Sequence, residues 1–282
     1  MIKDNKPHIH EGIFSSYADS SIVVFGIPYD GTASYRPGTR FGPQSIRQEL
    51  GGIETYSPYQ DMNLVDYRIS DMGDMPLHFG NIATVLEEMK NETAEILRDG
   101  KKTVVIGGEH LISFPVIDAY IEAYPGLSVV HLDAHADLRD EYLGEKLSHA
   151  TVMRRVFEKL KGELWQFGMR SGTKDEFAFA AGNTHMTKFD FSGIDSVRDA
   201  AGASPIYLSI DIDVLDPSLL PGTGTPEAGG ITFKELISGL LALKGLNIVG
   251  ADIVELSPHY DQSGVSTSVA CKVLREVLLL LV

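Results

Sequence analysis

Cysteine occurs once in this sequence, at position 271, so no internal disulfide is available, and a buried, inert thiol within a C-terminal apolar helix is expected. Long apolar runs are also missing. The longest, VLLLLV at the C-terminus, falls far short of the roughly 18 to 20 residues that cross a bilayer, and the opening MIKDNKPHIHEGIF lacks the apolar core of a signal peptide. Positive charge is scarce. With 24 basic residues against 39 acidic ones the net charge is −15, which disfavours nucleic-acid phosphates and anionic membranes and suits small cations or metal ions. These shortages set the expectation of a cytoplasmic protein with no nucleic-acid or membrane partner.

What remains is ample for a core: 43% of the 282 residues are hydrophobic, and no repeat, low-complexity tract or linker divides them. One α/β domain over 1–282 is expected, with residues 1–20 as an N-terminal extension. Short β-rich runs recur at Ile22–Ile27, Thr103–Ile106, Leu127–Leu132, Leu164–Phe167, Ile206–Ile212 and Ile248–Val254, with weaker ones near Ile69 and Met186. Helical patterns alternate with them, at 43–50, 114–124, 150–160, 233–243 and 263–281. The clearest starts at the N-cap Asn81, carries Ile82, Val85, Leu86, Met89, Thr93, Ile96 and Leu97 on one face, and stops before Gly100. Near-continuous apolar strands between helices indicate a parallel sheet covered on both faces, with a (β/α)₈ barrel as the lesser alternative.

Polar ligand-type residues gather where those strands end. VVIGGEH closes on Glu109 and His110, HLDAHADLRD brings Asp133, His135 and Asp137, YLSIDID brings Asp211 and Asp213, and GADIVE ends on Glu255. Four converging aspartates repel strongly unless cations compensate them, and two divalent ions would cancel their charge. Carboxylates with a few imidazoles and no thiol suit Mn²⁺, and a metal pair that ionises a water makes hydrolysis the natural reaction. A phosphohydrolase would want basic residues at these ends, which are acidic. His131, one pleat earlier, is expected to be a hydrogen-bonded core histidine, and His8 and His10 to lie in a mobile tail without partners. LPGTGTPEAGGIT lacks the spacing of a phosphate-binding loop and is read as a rigid connection. Arg36, Arg40 and Arg47 are assigned to loop or subunit contacts.

In order along the chain, SYRPGTRFGPQSIR, GGEH, DAHADLRDEYLGEKLSHATVMRR, SIDIDVLDPSLLPGTGTPEAGG and DIVELSP resemble the ureohydrolases, the family of arginases, agmatinases and their relatives. The resemblance implies a three-layer α/β/α fold around an eight-stranded parallel sheet, two Mn²⁺ ions and a homo-oligomer, trimer or hexamer. Carried over residue by residue, His110, Asp133, Asp137 and Asp211 would hold one manganese, and His135, Asp133, Asp211 and Asp213 the other. Asp137 would also orient the attacking hydroxide, His149 would shuttle a proton to the leaving amine, and Glu255 would hold the guanidinium. Asp140, Glu141 and Glu145 would attract a terminal ammonium, whereas Arg139 would favour a guanidino acid. The wording of 137–155 resembles the bacterial and archaeal agmatinase branch, which implies hydrolysis of agmatine to putrescine and urea in polyamine synthesis. A guanidinobutyrase, an arginase and a non-catalytic metal-binding protein on the same scaffold stay open as alternatives.

Overall fold

The computed structural model describes residues 2–5, 8, 10, 12–78 and 80–282. Along the chain the strands are β1 (Ile22–Ile27), β2 (Tyr56–Ser57), β3 (Met62–Asn63), β4 (Ile69–Asp74), β5 (Lys102–Gly107), β6 (Ser128–Leu132), β7 (Leu164–Met169), β8 (His185–Lys188), β9 (Ile206–Asp211) and β10 (Ile248–Val254). Eight of them join in the order β4-β1-β5-β10-β9-β6-β7-β8, all pairs parallel, while β2 and β3 form a separate antiparallel pair. The sheet is open, with β4 and β8 as its edges, so the barrel alternative is excluded.

Successive residues of each strand serve opposite faces, and both faces are apolar because helices cover both. Val23, Phe25, Val105 and Val129 pack under α2 (Ile82–Arg98), α3 (Ser113–Ala123) and α4 (Val152–Lys159). Ile22, Val24, Ile106, Leu208 and Ile210 pack under α1 (Gly42–Glu49), α7 (Phe233–Ala242) and α8 (Val265–Leu281). The result is the expected three-layer α/β/α arrangement. Helix α2 begins where Asn81 Oδ1 accepts the Ala83 N–H at 2.8 Å and ends before Gly100, whose φ of 74° suits glycine.

Two helices escape the periodicity, α5 (Lys174–Asn183) and α6 (Ser196–Ala201). In α5 only Glu176 and Ala180 are buried, so it shows no apolar stripe; a Thr173–Glu176 capping box starts it instead. The N-terminal histidines need a correction. Ile2 is fully buried, the His8 N–H donates to the Asp71 carbonyl at 2.7 Å, and His10 Nε2 lies 3.2 Å from Asp71 Oδ2. As an edge strand β4 offers open backbone groups, and this segment takes one of them. The arginines of the SYRPGTRFGPQSIR stretch serve loop contacts: Arg40 pairs with Asp30, Arg47 with Asp71 and Asp74, and Arg36 lies over the Tyr260 ring.

Candidate active site

The four central strands β5, β10, β9 and β6 deliver the polar residues to one end of the sheet, where the chain passes from β5 to β6 across the two strands between them. Tight backbone approach makes this possible. A side chain at Gly108 would meet the Tyr29 carbonyl at 1.8 Å, and the Glu255 N–H donates to the Gly108 carbonyl at 2.9 Å. Asp137 and Glu255 hold φ angles of 53° and 67°, a left-handed conformation that costs a non-glycine residue energy and gathers at functional positions.

Asp133 lies at the centre. It is shared by two groups of potential ligand atoms, one with His110, His131 and Asp137, the other with His135 and Asp213. His110 Nδ1 faces Asp133 Oδ2 at 3.1 Å, Asp137 Oδ2 at 3.2 Å and Asp211 Oδ2 at 3.4 Å. His135 Nδ1 lies 3.0 Å from Asp213 Oδ2 and 3.5 Å from Asp133 Oδ1. All six predicted ligands are therefore brought together, and Asp211 belongs with them by its distance to His110.

His131, by contrast, supports the cluster. The Gln166 amide donates to the Ala136 carbonyl at 2.9 Å and to His131 Nδ1 at 3.1 Å, which leaves His131 Nε2–H to donate to Asp133 Oδ2 at 2.7 Å. His131 is a hydrogen-bonded core residue as expected, and the strand face shared by positions 131 and 133 is the sequence signal for its contact with Asp133. The same period of two links Ser209 to Asp211. Ser209 donates to Asp252 Oδ1 at 2.8 Å, so its oxygen accepts from His110 Nε2 at 3.0 Å, and Tyr207 holds the other Asp252 oxygen at 2.9 Å.

That tautomer exposes the electrostatic problem. With Nε2 protonated, His110 presents Nδ1, buried and without a hydrogen-bond partner, to three carboxylates. Burial opposes charge on His110, but Asp133, Asp137 and Asp211 outweigh it and hold its pKa well above the imidazole range. Burial and the Asp133 charge push Asp137 up to about 7, and burial with Asp213 and Asp133 pushes Asp211 well above the carboxylate range. Asp133 is held well below the carboxylate range, because His131, His110 and His135 overcome its burial. A proton on Nδ1 relieves one contact only. Divalent cations between the imidazoles and the aspartates would relieve them all, and neutral nitrogen with anionic oxygen is a donor set that such ions accept.

Beside the cluster opens a cavity of about 400 Å³, whose walls include His149, Glu255, Arg139, Glu176 and Glu227. Glu255 is buried, and its Oε1 accepts the His110 N–H at 2.7 Å; burial and the neighbouring Glu109 raise its pKa well above the ordinary value. His149 is positioned by Thr32. The Thr32 hydroxyl donates to Glu109 Oε1 at 2.5 Å, so its oxygen receives the His149 N–H at 3.1 Å and Nδ1 at 3.3 Å. Nε2 is left as the acceptor nitrogen, 3.4 Å from Ser34 Oγ. Burial lowers the His149 pKa to about 4, so the ring is neutral at pH 7.

The acidic residues after Asp137 do not reach this space. Asp140 is exposed and pairs with Arg155 at 2.9 Å, Glu141 and Glu145 are exposed, and none of the three lines the cavity. Arg139 does line it, but its Nε lies 3.4 Å from Glu176 Oε2 and its guanidinium lies over the Tyr142 ring at 4.7 Å. Thr32, Gln166, Ser209, Asp252 and Glu176 were absent from the sequence reading. Ser209 and Asp252 lie on the ligand strands β9 and β10 themselves, whereas Thr32, Gln166 and Glu176 come from distant segments that only the folded chain joins.

Fold and site together define an α/β protein with a buried histidine–aspartate centre suited to metal, beside an acidic cavity. The sequence profile of the arginase family matches residues 20–280. The chain belongs to the arginase family. It is 45% identical over 269 residues to an agmatinase of Bacillus anthracis, covering 94% of this chain and 93% of the relative, and 32% identical to a guanidinobutyrase of Pseudomonas aeruginosa, covering 98% and 90%. The crystal structure of agmatine ureohydrolase of Thermoplasma volcanium superposes with a TM-score of 0.85 at 32% identity, covering 96% of this chain and 92% of that one.

Proposed function

We propose that this protein is a manganese-dependent agmatinase that hydrolyses agmatine to putrescine and urea. The observation that carries the reading is that two ligand groups sharing the buried Asp133 reach one cavity, through His110, Asp137 and His135, that is also lined by the carboxylate acceptor Glu255. One Mn²⁺ would be held by His110, Asp133, Asp137 and Asp211, the other by His135, Asp133, Asp211 and Asp213. When bound, such a pair supplies a water ionised at neutral pH.

The chain's own groups then divide the remaining work. Glu255, buried without a cationic partner among the described residues, gains from a planar guanidinium that makes paired hydrogen bonds to its carboxylate. Asp137, fixed by its carbonyl, which accepts the N–H groups of Met153 and Arg154 at 3.0 and 3.1 Å, orients the nucleophile. His149 Nε2 accepts a proton in the cavity and returns it to the departing nitrogen, which leaves as the amine while the guanidinium carbon becomes urea. His149→Ala should lower kcat by roughly 10²-fold or more while metal content is kept, by metal analysis of the purified variant.

Arg139 favours a second reading, a guanidino acid such as 4-guanidinobutyrate, because a cation on the wall would attract a carboxylate. Its engagement by Glu176 and Tyr142 weighs against that. A cytoplasmic setting and a homo-oligomer form part of the proposal through the family resemblance; for the membrane, no described helix is long and apolar enough to cross one. Urea release after manganese loading, compared across agmatine, arginine and 4-guanidinobutyrate, is expected to give agmatine the highest kcat/KM. No urea from any of the three would overturn the proposal.

A further inference from the structure

From the cavity walls we infer that Glu227 receives the distal ammonium of the substrate and so sets the preference for a cationic over an anionic chain end. The inference rests on the agmatinase reading and names the residue that makes it specific.

Outside the ligand cluster the cavity is lined by three carboxylates, Glu176, Glu227 and Glu255. Two are engaged. Glu176 Oε2 accepts the Thr173 N–H and hydroxyl at 2.8 and 3.0 Å, its Oε1 accepts the Leu138 N–H at 3.1 Å, and Arg139 approaches at 3.4 Å. Glu255 lies against His110 at the cluster, where the guanidinium must sit. Glu227 is half-buried, takes one hydrogen bond, from Ser171 Oγ to its Oε1 at 3.1 Å, and forms no ion pair among the described residues.

Its position is fixed by the main chain. The Glu227 carbonyl accepts Arg170 Nε and Nη2 at 3.2 and 3.0 Å, so the loop carrying it is clamped to the end of β7. Two residues earlier, the Thr225 hydroxyl donates to Asp213 Oδ2 at 3.3 Å. The Glu227 partner Ser171 is itself held beside the cluster: the Ser171 N–H donates to the Ala134 carbonyl at 2.9 Å and its carbonyl accepts the Ala136 N–H at 3.1 Å, on either side of the ligand His135, so the Glu227 carboxylate stands on the cavity wall next to the ligands. A carboxylate with free acceptor capacity on that wall suits the distal ammonium of a substrate whose guanidinium lies at Glu255. It repels the carboxylate of a guanidino acid, and Arg139, already paired, does not offset the repulsion.

The test is steady-state kinetics of manganese-loaded wild type, Glu227→Gln and Ser171→Ala. Three compounds are compared: agmatine, 4-guanidinobutyrate and pentylguanidine, which replaces the ammonium with a methyl group and is read as substrate or competitive inhibitor. Glu227→Gln should raise KM for agmatine roughly 10- to 100-fold with kcat within about a factor of two. It should leave pentylguanidine unchanged and lower KM for 4-guanidinobutyrate, with Ser171→Ala shifting agmatine in the same direction by less. Unchanged agmatine KM in Glu227→Gln, or an equal loss on pentylguanidine, would overturn the assignment while leaving the agmatinase reading intact. Wild type that releases urea from 4-guanidinobutyrate and none from agmatine would overturn both.

Discussion

Two buried polar clusters lie at different places in this fold and resolve their charge in opposite ways. On α8, Glu276 is met by internal partners: Arg275 Nε and Nη2 reach its Oε1 at 2.8 and 2.7 Å, while Ser57 and Gln60 donate to its Oε2 at 2.8 and 3.0 Å. Arg275 also donates to the Glu54 and Tyr56 carbonyls, which ties the β2–β3 pair to the helix. At the strand ends, four aspartates face the imidazoles of His110, His131 and His135, and Asp137 and Asp211 are driven toward protonation. The first cluster closes on itself and stabilises the fold. The second holds more carboxylates than it can keep ionised on its own, which cations would relieve.

The contrast breaks most sharply under substitution. Asp133→Ala removes the aspartate shared by both ligand groups, and activity should fall by at least about 10³-fold with loss of bound metal and a retained fold, read by urea assay, metal analysis and circular dichroism. Full activity in that variant would refute the sharing. Glu276→Ala should instead leave metal content untouched and cost about 3–5 kcal/mol in urea unfolding, since it strands a buried guanidinium. A cost within about 0.5 kcal/mol, the range of an ordinary surface site, would show that this cluster is not the structural one.

Smaller effects follow from protonation. Asp137 has its pKa raised from 3.8 to about 7 in the metal-free protein, so its proton stabilises that form fully below pH 4, and this contribution is lost as pH rises through about 7. Metal must displace the same proton, along with those held on His110 and Asp211, and manganese affinity measured by calorimetry should therefore rise with pH through about 7. A pH-independent affinity between 5 and 8 would contradict the shift. Smallest of all, Asp211→Asn mimics the protonated acid and should change the stability of metal-free protein by less than about 1 kcal/mol, whereas a loss as large as that of Glu276→Ala would erase the contrast.

Much of this was legible in the chain. Six of the eight sheet strands show as apolar runs, because a strand buried on both faces has little polar alternation to blur it, whereas the edge strands β4 and β8, ISDMGD and HMTK, read only weakly. The ligands were readable because they follow those runs directly, at spacings of two that keep them on one side. What stayed hidden depends on distant segments meeting. Nothing near position 32 announces that Thr32 orients His149 through Glu109, and Arg139 reads as a free cation until Glu176, from the unforeseen helix α5, is placed beside it. Asp140, Glu141 and Glu145 misled for the same reason: their charge was visible, but not that their loop turns them outward.

On the proposed function, the strand-end aspartates coexist because a pair of divalent cations would join them. Anomalous diffraction at the manganese edge, from crystals grown with manganese, tests it directly. Two peaks are expected, one among His110, Asp133, Asp137 and Asp211 and the other among His135, Asp133, Asp211 and Asp213. No peak, or a single one elsewhere in the molecule, would contradict the account.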